Sequence, residues 1–162
     1  MSDSYYDTAQ ICLNGHVIST MASSSPQSNQ KYCAECGVQT ITACTYCNSP
    51  IRGYYHIRGV FGFSDYHKPS YCYNCGKSYP WTVASLEAAS ELADELEKLT
   101  ADERQQLKES FPDLVKNTPK TVVAETRFIK LMKKAGSETY DSMKSILIDV
   151  VSETVKKSLF GL

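Results

Sequence analysis

Seven cysteines and three histidines carry most of the reactive chemistry of this 162-residue chain, and all seven cysteines lie between Cys12 and Cys75. They fall into pairs: Cys12-x3-His16, Cys33-x2-Cys36, Cys44-x2-Cys47 and Cys72-x2-Cys75. Two soft ligands this close together on a tight turn can face one cation, and thiolate-rich shells select zinc over hard cations. Gly15, inside "CLNGH", supplies the backbone freedom that lets His16 complete the first pair. With His16 counted, eight ligands fill two tetrahedral zinc shells, which accounts for the odd number of cysteines.

Three partitions of these pairs are open. In the sequential one, Cys12/His16 joins Cys33/Cys36, and Cys44/Cys47 joins Cys72/Cys75. In a cross-brace, the first and third pairs share one metal while the second and fourth share the other. In a nested arrangement, "CAECGVQTITACTYC" is one site and the outer pairs make the second. Sequential pairing leaves 16 and 24 residues between the halves of its two sites, enough for a hairpin in each. Nesting needs a 55-residue closure around an already folded site and costs more loop entropy. We expect sequential pairing, with the cross-brace next.

Either way both shells close on protein ligands, whereas a catalytic zinc keeps a position for water. The chain holds no phosphate loop, no H-E-x-x-H and no G-x-S-x-G elbow. We therefore expect two structural zinc ions and no enzymatic activity. His56 and His67 read as exposed surface histidines, with His67 the substitute ligand should Cys12/His16 fail.

The elements that must position these ligands divide the chain. Residues 1–81 hold every Cys and His and ten of the eleven Tyr; residues 82–162 hold 26 of the 35 charged residues. We expect an α+β protein with a double zinc-ribbon region over 1–81 (first ribbon 1–42, second ribbon 43–81) and a helical domain of about four helices over 82–162. Gly37 and Gly76 follow the second Cys of their pairs, where the backbone turns over the sulfur. Tyr32 and Tyr71 precede a first Cys and are expected to shield the metal. "IRGYYHIRGVFGF" (51–63) reads as a hairpin, and the Ser-rich "STMASSSPQSNQ" (19–30) as a flexible loop.

In the back half, periodicity predicts helices over 82–99, from the "TADE" capping box at 100–103 to a break at "FPDLVKN", from Thr118-Pro119 to Ala135, and over 138–160 with Ser137 as cap. Residues 82–115 carry nine acidic and three basic side chains, and 116–162 nine basic against five acidic, so the two segments suit antiparallel neighbours. In the last helix Met143, Ile146, Leu147, Val150, Val151, Val155 and Leu159 exceed one narrow stripe. That width predicts a protein partner or a second copy docked along it.

The net charge of −1 gives no global field toward nucleic acid or anionic lipid. A local candidate surface does exist in the hairpin and its exit (51–73). Arg52, His56, Arg58, His67 and Lys68 interleave there with Tyr54, Tyr55, Phe61, Phe63, Tyr66 and Tyr71, so rings could stack on bases beside phosphate-binding cations. Residues 1–81 nevertheless hold only five Lys/Arg against four acids. Nucleic acid is therefore the second expectation, behind a protein-binding or adaptor role. The N-terminus "MSDSYYDTAQ" lacks the pattern of a signal peptide, and the longest apolar run, "ILIDVV" at 146–151, falls short of the ~20 residues that span a bilayer. We expect a cytoplasmic location with reduced thiols and no membrane contact.

"CLNGH", "YCAECG", "PIRG" and "SYCYNCGKSYPWT", followed by a Leu/Glu-rich helix and a "TP" helix, resemble the bacterial family known as domain of unknown function 2321. The resemblance covers nearly the whole chain. It implies a zinc-ribbon protein with a helical tail, the eight Cys/His positions above as its metal ligands, and no mechanism.

Overall fold

The computed structural model describes residues 3–62 and 65–162. Two compact units divide the chain, Met1–Thr82 and Val83–Leu162. The first contains five short strands: β1 Tyr5–Thr8, β2 Gln10–Cys12, β3 Val17–Ser19, β4 Thr40–Ile41 and β5 Arg52–His56. They make a three-stranded sheet in the order β3-β2-β4 and a two-stranded sheet β1-β5, all antiparallel. Strand β2 buries Gln10, Ile11 and Cys12 and carries the first ligand at its end.

The stretch 51–63 is not a hairpin on itself. Its first part, β5, pairs with the N-terminal strand, Tyr5 opposite His56 and Tyr6 opposite Tyr55, while 57–62 leaves the sheet; Phe63 lies outside the described residues. Gly53 makes this pairing possible, because Thr20 O and the Thr8–Ala9 backbone sit where a side chain would begin. The N-terminus supplies the partner that local alternation in the sequence did not reveal. The first and second ribbon segments are thereby joined through β1 and β5.

The serine-rich segment is also built in rather than loose. A short 3₁₀ turn, Pro26–Ser28, lies inside it. Buried Gln10 donates through Nε2 to Gln30 O (2.8 Å) and Thr40 Oγ1 (2.9 Å), and its Oε1 accepts from the Gln30 amide (2.9 Å). Asp7, 4 % exposed, accepts from the Thr8 amide (2.7 Å), the Ser23 amide (3.1 Å) and the Ser24 hydroxyl, and pairs with His56 Nε2 at 3.1 Å. Serine composition reads as flexible only while its buried partners are unseen. Burial raises the Asp7 pKa, but the bonds from Ser24, His56, Thr8 and Ser23 outweigh it, so the carboxyl titrates below its ordinary value. Its contribution is therefore full above the ordinary carboxylate pKa and is lost as pH falls through the depressed one. We expect Asp7→Asn to cost about 3 kcal/mol at neutral pH. The difference between variant and wild type in denaturant melts should shrink in acid; a difference under about 0.5 kcal/mol at neutral pH would contradict this role.

The second unit is helical. Helix α1 runs Pro80–Asp94, α2 Ala101–Val115, α3 Thr121–Ala135, α4 Ser137–Leu147 and α5 Glu153–Phe160, five helices where about four were expected. The Thr100/Glu103 capping box starts α2 as the sequence indicates. Pro112 does not end α2, because Phe111, Leu114 and Val115 are buried and their packing outweighs the missing amide in the last turn. Helix α3 starts three residues beyond Thr118, with Lys120 as its cap, and Thr121 Oγ1 donates back to Lys116 O (2.7 Å). Its buried stripe, Ala124, Phe128, Leu131 and Ala135, packs against α2, α4 and α5. The acidic and basic segments do meet: Glu103 of α2 pairs with Lys134 of α3 at 2.8 Å.

The expected helix 138–160 is broken. Ser137 belongs to the first turn of α4, behind Gly136 (φ 108), and makes no side-chain cap bond. Residues 148–152 form a turn, the Ser152 amide bonds Leu114 O (3.1 Å), and the Ser152 side chain caps α5. Chain reversal brings Tyr140 Oη to Leu159 O (2.7 Å) and gathers Phe128, Tyr140 and Phe160 with ring centroids 6.1–6.3 Å apart. In one straight helix Tyr140 and Phe160 would stand about 30 Å apart at ~1.5 Å per residue. Most of the wide apolar content is thus used internally: Met143, Leu147, Val150, Val151 and Val155 are 0–4 % exposed, while Ile146 and Leu159 are half-buried. Among the described residues no helix is long and apolar enough to cross a membrane.

Candidate metal centres

Every cysteine pair sits on the same local turn. In the three Cys-x2-Cys knuckles the first Cys donates its amide across the turn, to Val38 O, Ser49 O and Lys77 O, each at 2.8 Å. The residue after the second Cys returns an amide to the first: Gly37 to Cys33 O, Asn48 to Cys44 O and Gly76 to Cys72 O, at 2.8–2.9 Å. That residue must be left-handed, with φ of 75°, 60° and 72°. Bridges Tyr32–Gln39, Ala43–Pro50 and Tyr71–Ser78 close the three turns. Asn48 plays the glycine role in the middle knuckle; as asparagine, the type that tolerates this conformation best after glycine, it was legible but is less conspicuous. In the fourth turn the Cys12 amide bonds His16 O (2.9 Å), Gly15 takes φ 95°, and the His16 amide reaches Cys12 Sγ at 3.2 Å.

Among the described residues two quartets result: Cys12, His16, Cys33 and Cys36, and Cys44, Cys47, Cys72 and Cys75, with the ligand atoms of each within 4.8 Å of one another. This is the sequential partition, and the two quartets fit zinc ribbons. The cross-brace and nested alternatives are excluded by it. Sulfur pairs Cys12–Cys36, Cys44–Cys75 and Cys47–Cys72 are 3.7, 3.7 and 3.6 Å apart. A disulfide would need about 2.05 Å. A tetrahedron with metal–sulfur bonds of about 2.3 Å has edges of about 3.8 Å, so the spacing suits sulfurs that share one cation. His16 Nδ1, 3.4 Å from Cys12 Sγ and 3.5 Å from Cys33 Sγ, is the inward nitrogen of its ring. Its Nε2 faces Glu35 at 3.4 Å, the arrangement that orients a metal-bound imidazole.

Electrostatics supports cation binding. The Val38 amide holds the Cys36 thiol down at about 6, and the Ser49 hydroxyl and amide do the same for Cys47, also about 6. At Cys75 the Lys77 amide pulls the same way, yet burial and the sulfurs of Cys44, Cys47 and Cys72 push the thiol up to about 11. Four sulfurs this close do not all ionise without positive charge among them.

The outer positions differ from sequence expectation. Tyr32 is no shield: its ring is 55 % exposed, with Lys31 Nζ 5.6 Å from its centroid. The rings that are buried are Tyr79 and Trp81, both 1 % exposed and stacked at 4.6 Å, which sequence reading passed over although "YPW" closely follows the last knuckle. Lys68 donates to Gly15 O (2.7 Å), and Lys68 and Trp81 together pack the Gly15 turn of the first quartet. His67 is exposed and lies in neither quartet. His56 is half-buried and tied to Asp7, not a surface histidine.

Of the six residues singled out as a partner surface, Arg52, Tyr54 and Tyr55 line one groove together with Tyr6 and His67. Arg52 stacks between Tyr6 (4.6 Å) and Tyr73 (3.9 Å), and Tyr55 lies against Tyr6 (4.6 Å). Tyr54 donates to Gly62 O (2.7 Å) and, with Tyr5, contacts the His56 ring. Arg58 pairs with Asp3, and Lys68 is turned to Gly15. A family model described as an uncharacterized protein conserved in bacteria, domain of unknown function 2321, matches residues 5–159. No curated protein and no solved structure matches the chain.

Proposed function

Because the chain belongs to the bacterial family of domain of unknown function 2321, whose description assigns no activity, we propose from its own residues that it is a non-enzymatic zinc-ribbon binding or adaptor protein. The observation that carries this is the pair of closed quartets, four protein ligand atoms each, seven of the eight being sulfurs. Shells of that kind hold zinc as a structural ion and keep no position for substrate. Thiolates of this number suit the reducing cytoplasm.

The surface that fits a protein partner, another protein or a second copy, is on the ribbon unit. Tyr5, Tyr6, Tyr55, Ile57 and Val60 are 42–60 % exposed and Phe61 is 99 % exposed, beside a groove of about 610 Å³ lined by Tyr54, His56, Ile57, Val60, Phe61 and Tyr66. Exposed aromatic and aliphatic surface on a small unit supports association. The buried positions of Val150, Val151 and Val155 move our expectation away from the last helix.

Nucleic acid is the second reading, favoured by the exposed knuckle rings Tyr32, Tyr46 and Tyr73, each with a cation over it. It ranks second because Arg52, Arg58 and Lys68 already have protein partners. Elemental analysis of purified protein should return two zinc ions per chain; one ion, or a stable metal-free ribbon unit, would refute the reading. Affinity capture should survive nuclease treatment. Capture lost on nuclease treatment, or tight binding of single strands that weakens steeply with salt, would put nucleic acid first.

A further inference from the structure

The helical unit, which holds none of the eight metal ligands, carries a cleft of its own. It encloses about 420 Å³ among α3, α4 and α5. That volume falls in the range of small-molecule sites, ~300–1,000 Å³. Chain reversal at 148–152 builds it, because Leu159 of α5 returns to stand beside Tyr140 of α4 and Ile129 of α3. Met132, 3 % exposed, is its most buried wall. The Tyr140 ring is fixed as a second wall by the bond from its hydroxyl to Leu159 O (2.7 Å) and by the rings of Phe128 and Phe160. Ile129, 42 % exposed, and half-buried Leu159 stand nearer the solvent. Aliphatic walls left open to water are unfavourable, and an alkyl chain laid along them removes that penalty.

One charged side chain lines this cleft. Lys133 is exposed, and among the described residues it makes no ion pair and no hydrogen bond. Other lysines of the unit are engaged: Lys134 with Glu103, Lys156 with Glu153, and Lys144 over the Phe160 ring. The outward face of α3 repeats the positive sign. Its exposed charges are Arg127, Lys130, Lys133 and Lys134, and its one acid, Glu125, is half-buried and accepts from the Ser158 hydroxyl (2.7 Å). Glu95, Glu97 and Glu138 line an adjoining cleft and not this one. A single unpaired cation at the edge of apolar walls is complementary to a ligand with one negative group at the end of an apolar chain.

We propose that the cleft among α3, α4 and α5 binds a free, single-chain alkyl carboxylate, its chain against Met132, Tyr140, Ile129 and Leu159 and its carboxylate on Lys133. The site is independent of the zinc reading, since every metal ligand lies in the other unit. It gives the chain a small-molecule ligand in addition to a protein partner on the ribbon unit.

The test is calorimetric titration of the full-length protein with hexanoate, octanoate and decanoate, followed by methyl NMR spectra of the decanoate complex. We expect one decanoate per chain, affinity rising about two- to fourfold per added methylene, and shifts centred on the methyl groups of Ile129, Met132 and Leu159. Decylammonium, the same chain with the opposite charge, should bind more weakly than decanoate. Lys133→Glu should reverse that order and weaken decanoate about 10-fold. Lys130→Glu makes the same charge change on the same helix outside the cleft and should alter decanoate affinity less than about twofold. Ile129→Glu should abolish binding with helical circular dichroism unchanged. The chain-length series and the methyl shifts are read on wild type, so a variant that fails to fold leaves the test intact. No decanoate binding at about 1 mM, a flat chain-length series, equal affinity for the two head groups, or methyl shifts confined to the ribbon unit each overturn the proposal. Equal weakening by Lys133→Glu and Lys130→Glu does so too, because it would mark a general field. Other occupants are separated in the same way. Phosphatidylglycerol vesicles that sediment wild type but not Lys133→Glu, with no decanoate bound in solution, would make this face a membrane surface. A wild-type dimer that Ile129→Glu splits would make it a contact between copies. Either result overturns the reading.

Discussion

Stripping metal from the protein with a strong chelator should unfold Met1–Thr82 while most of the helical circular dichroism survives. All eight ligands lie in that unit and none in Val83–Leu162. The ribbon unit has five strands of two to five residues, too little sheet to hold alone. In units of this size the binding free energy of the ion, about 10–16 kcal/mol for a structural zinc at neutral pH, is folding free energy. The helical unit has its own core in Leu107, Phe111, Leu114, Phe128, Met143 and Leu147, each at most 1 % exposed. Trp81, the single tryptophan, reports the transition directly: buried at 1 % exposure beside the last knuckle, it should shift its emission to the red as metal leaves. Parallel collapse of the helical signal would show that the two units are one cooperative body. Acid should act like the chelator, since protonated thiols release the ion.

Gly53→Ala should be almost as damaging, at a position that offers no ligand. A Cβ there would stand 2.2 Å from Thr20 O and 2.9 Å from both Ala9 N and Thr8 C. All three are backbone atoms held in place: the Ala9 amide bonds Ile51 O (2.8 Å), and Thr20 O accepts from Tyr54 (2.8 Å). No rotamer can move aside, so β1 and β5 must separate or the 20–22 segment must lift. Either releases Asp7, His56 and the entry to β2. We expect a loss of about 4 kcal/mol or more, read as reduced zinc retention on dialysis and a lower melting point of the ribbon unit. Gly62→Ala, where nothing lies within 4 Å, is the matched control and should behave as wild type. A Gly53→Ala protein as stable as that control would refute the close approach.

The ligand set was legible because tetrahedral coordination by paired cysteines leaves a local signature. Each pair and its turn residue lie within five residues, so "CLNGH", "CAECG" and "CYNCG" can be read without knowing what surrounds them. The count of eight and the short sequential closures then select the partition that the structure contains. Helix periodicity was legible for a related reason, and the Thr100/Glu103 capping box is four residues long. Misreadings begin where a partner is far away. Strand β5 was assigned to its own hairpin because alternation shows a strand and not its neighbour, and β1 is some 45 residues distant.

By itself, then, the sequence determined the eight candidate ligands, a preferred order among their possible groupings, the division into a half that bears them and a helical half, and the existence of most helices. These follow from local geometry and local periodicity, in which a few residues carry both the cause and the effect. Only the tertiary structure decided where the last helix breaks, because burying both Val150 and Val151 and docking the Ser152 amide on Leu114 O outweigh continued helical hydrogen bonds. It likewise decided that a serine-rich segment is anchored by the buried side chains of Asp7 and Gln10, and that Arg52, Arg58 and Lys68 are engaged by groups of the same chain. Each is a contact between side chains brought together by folding, and its energy depends on distances that no spacing along the chain encodes.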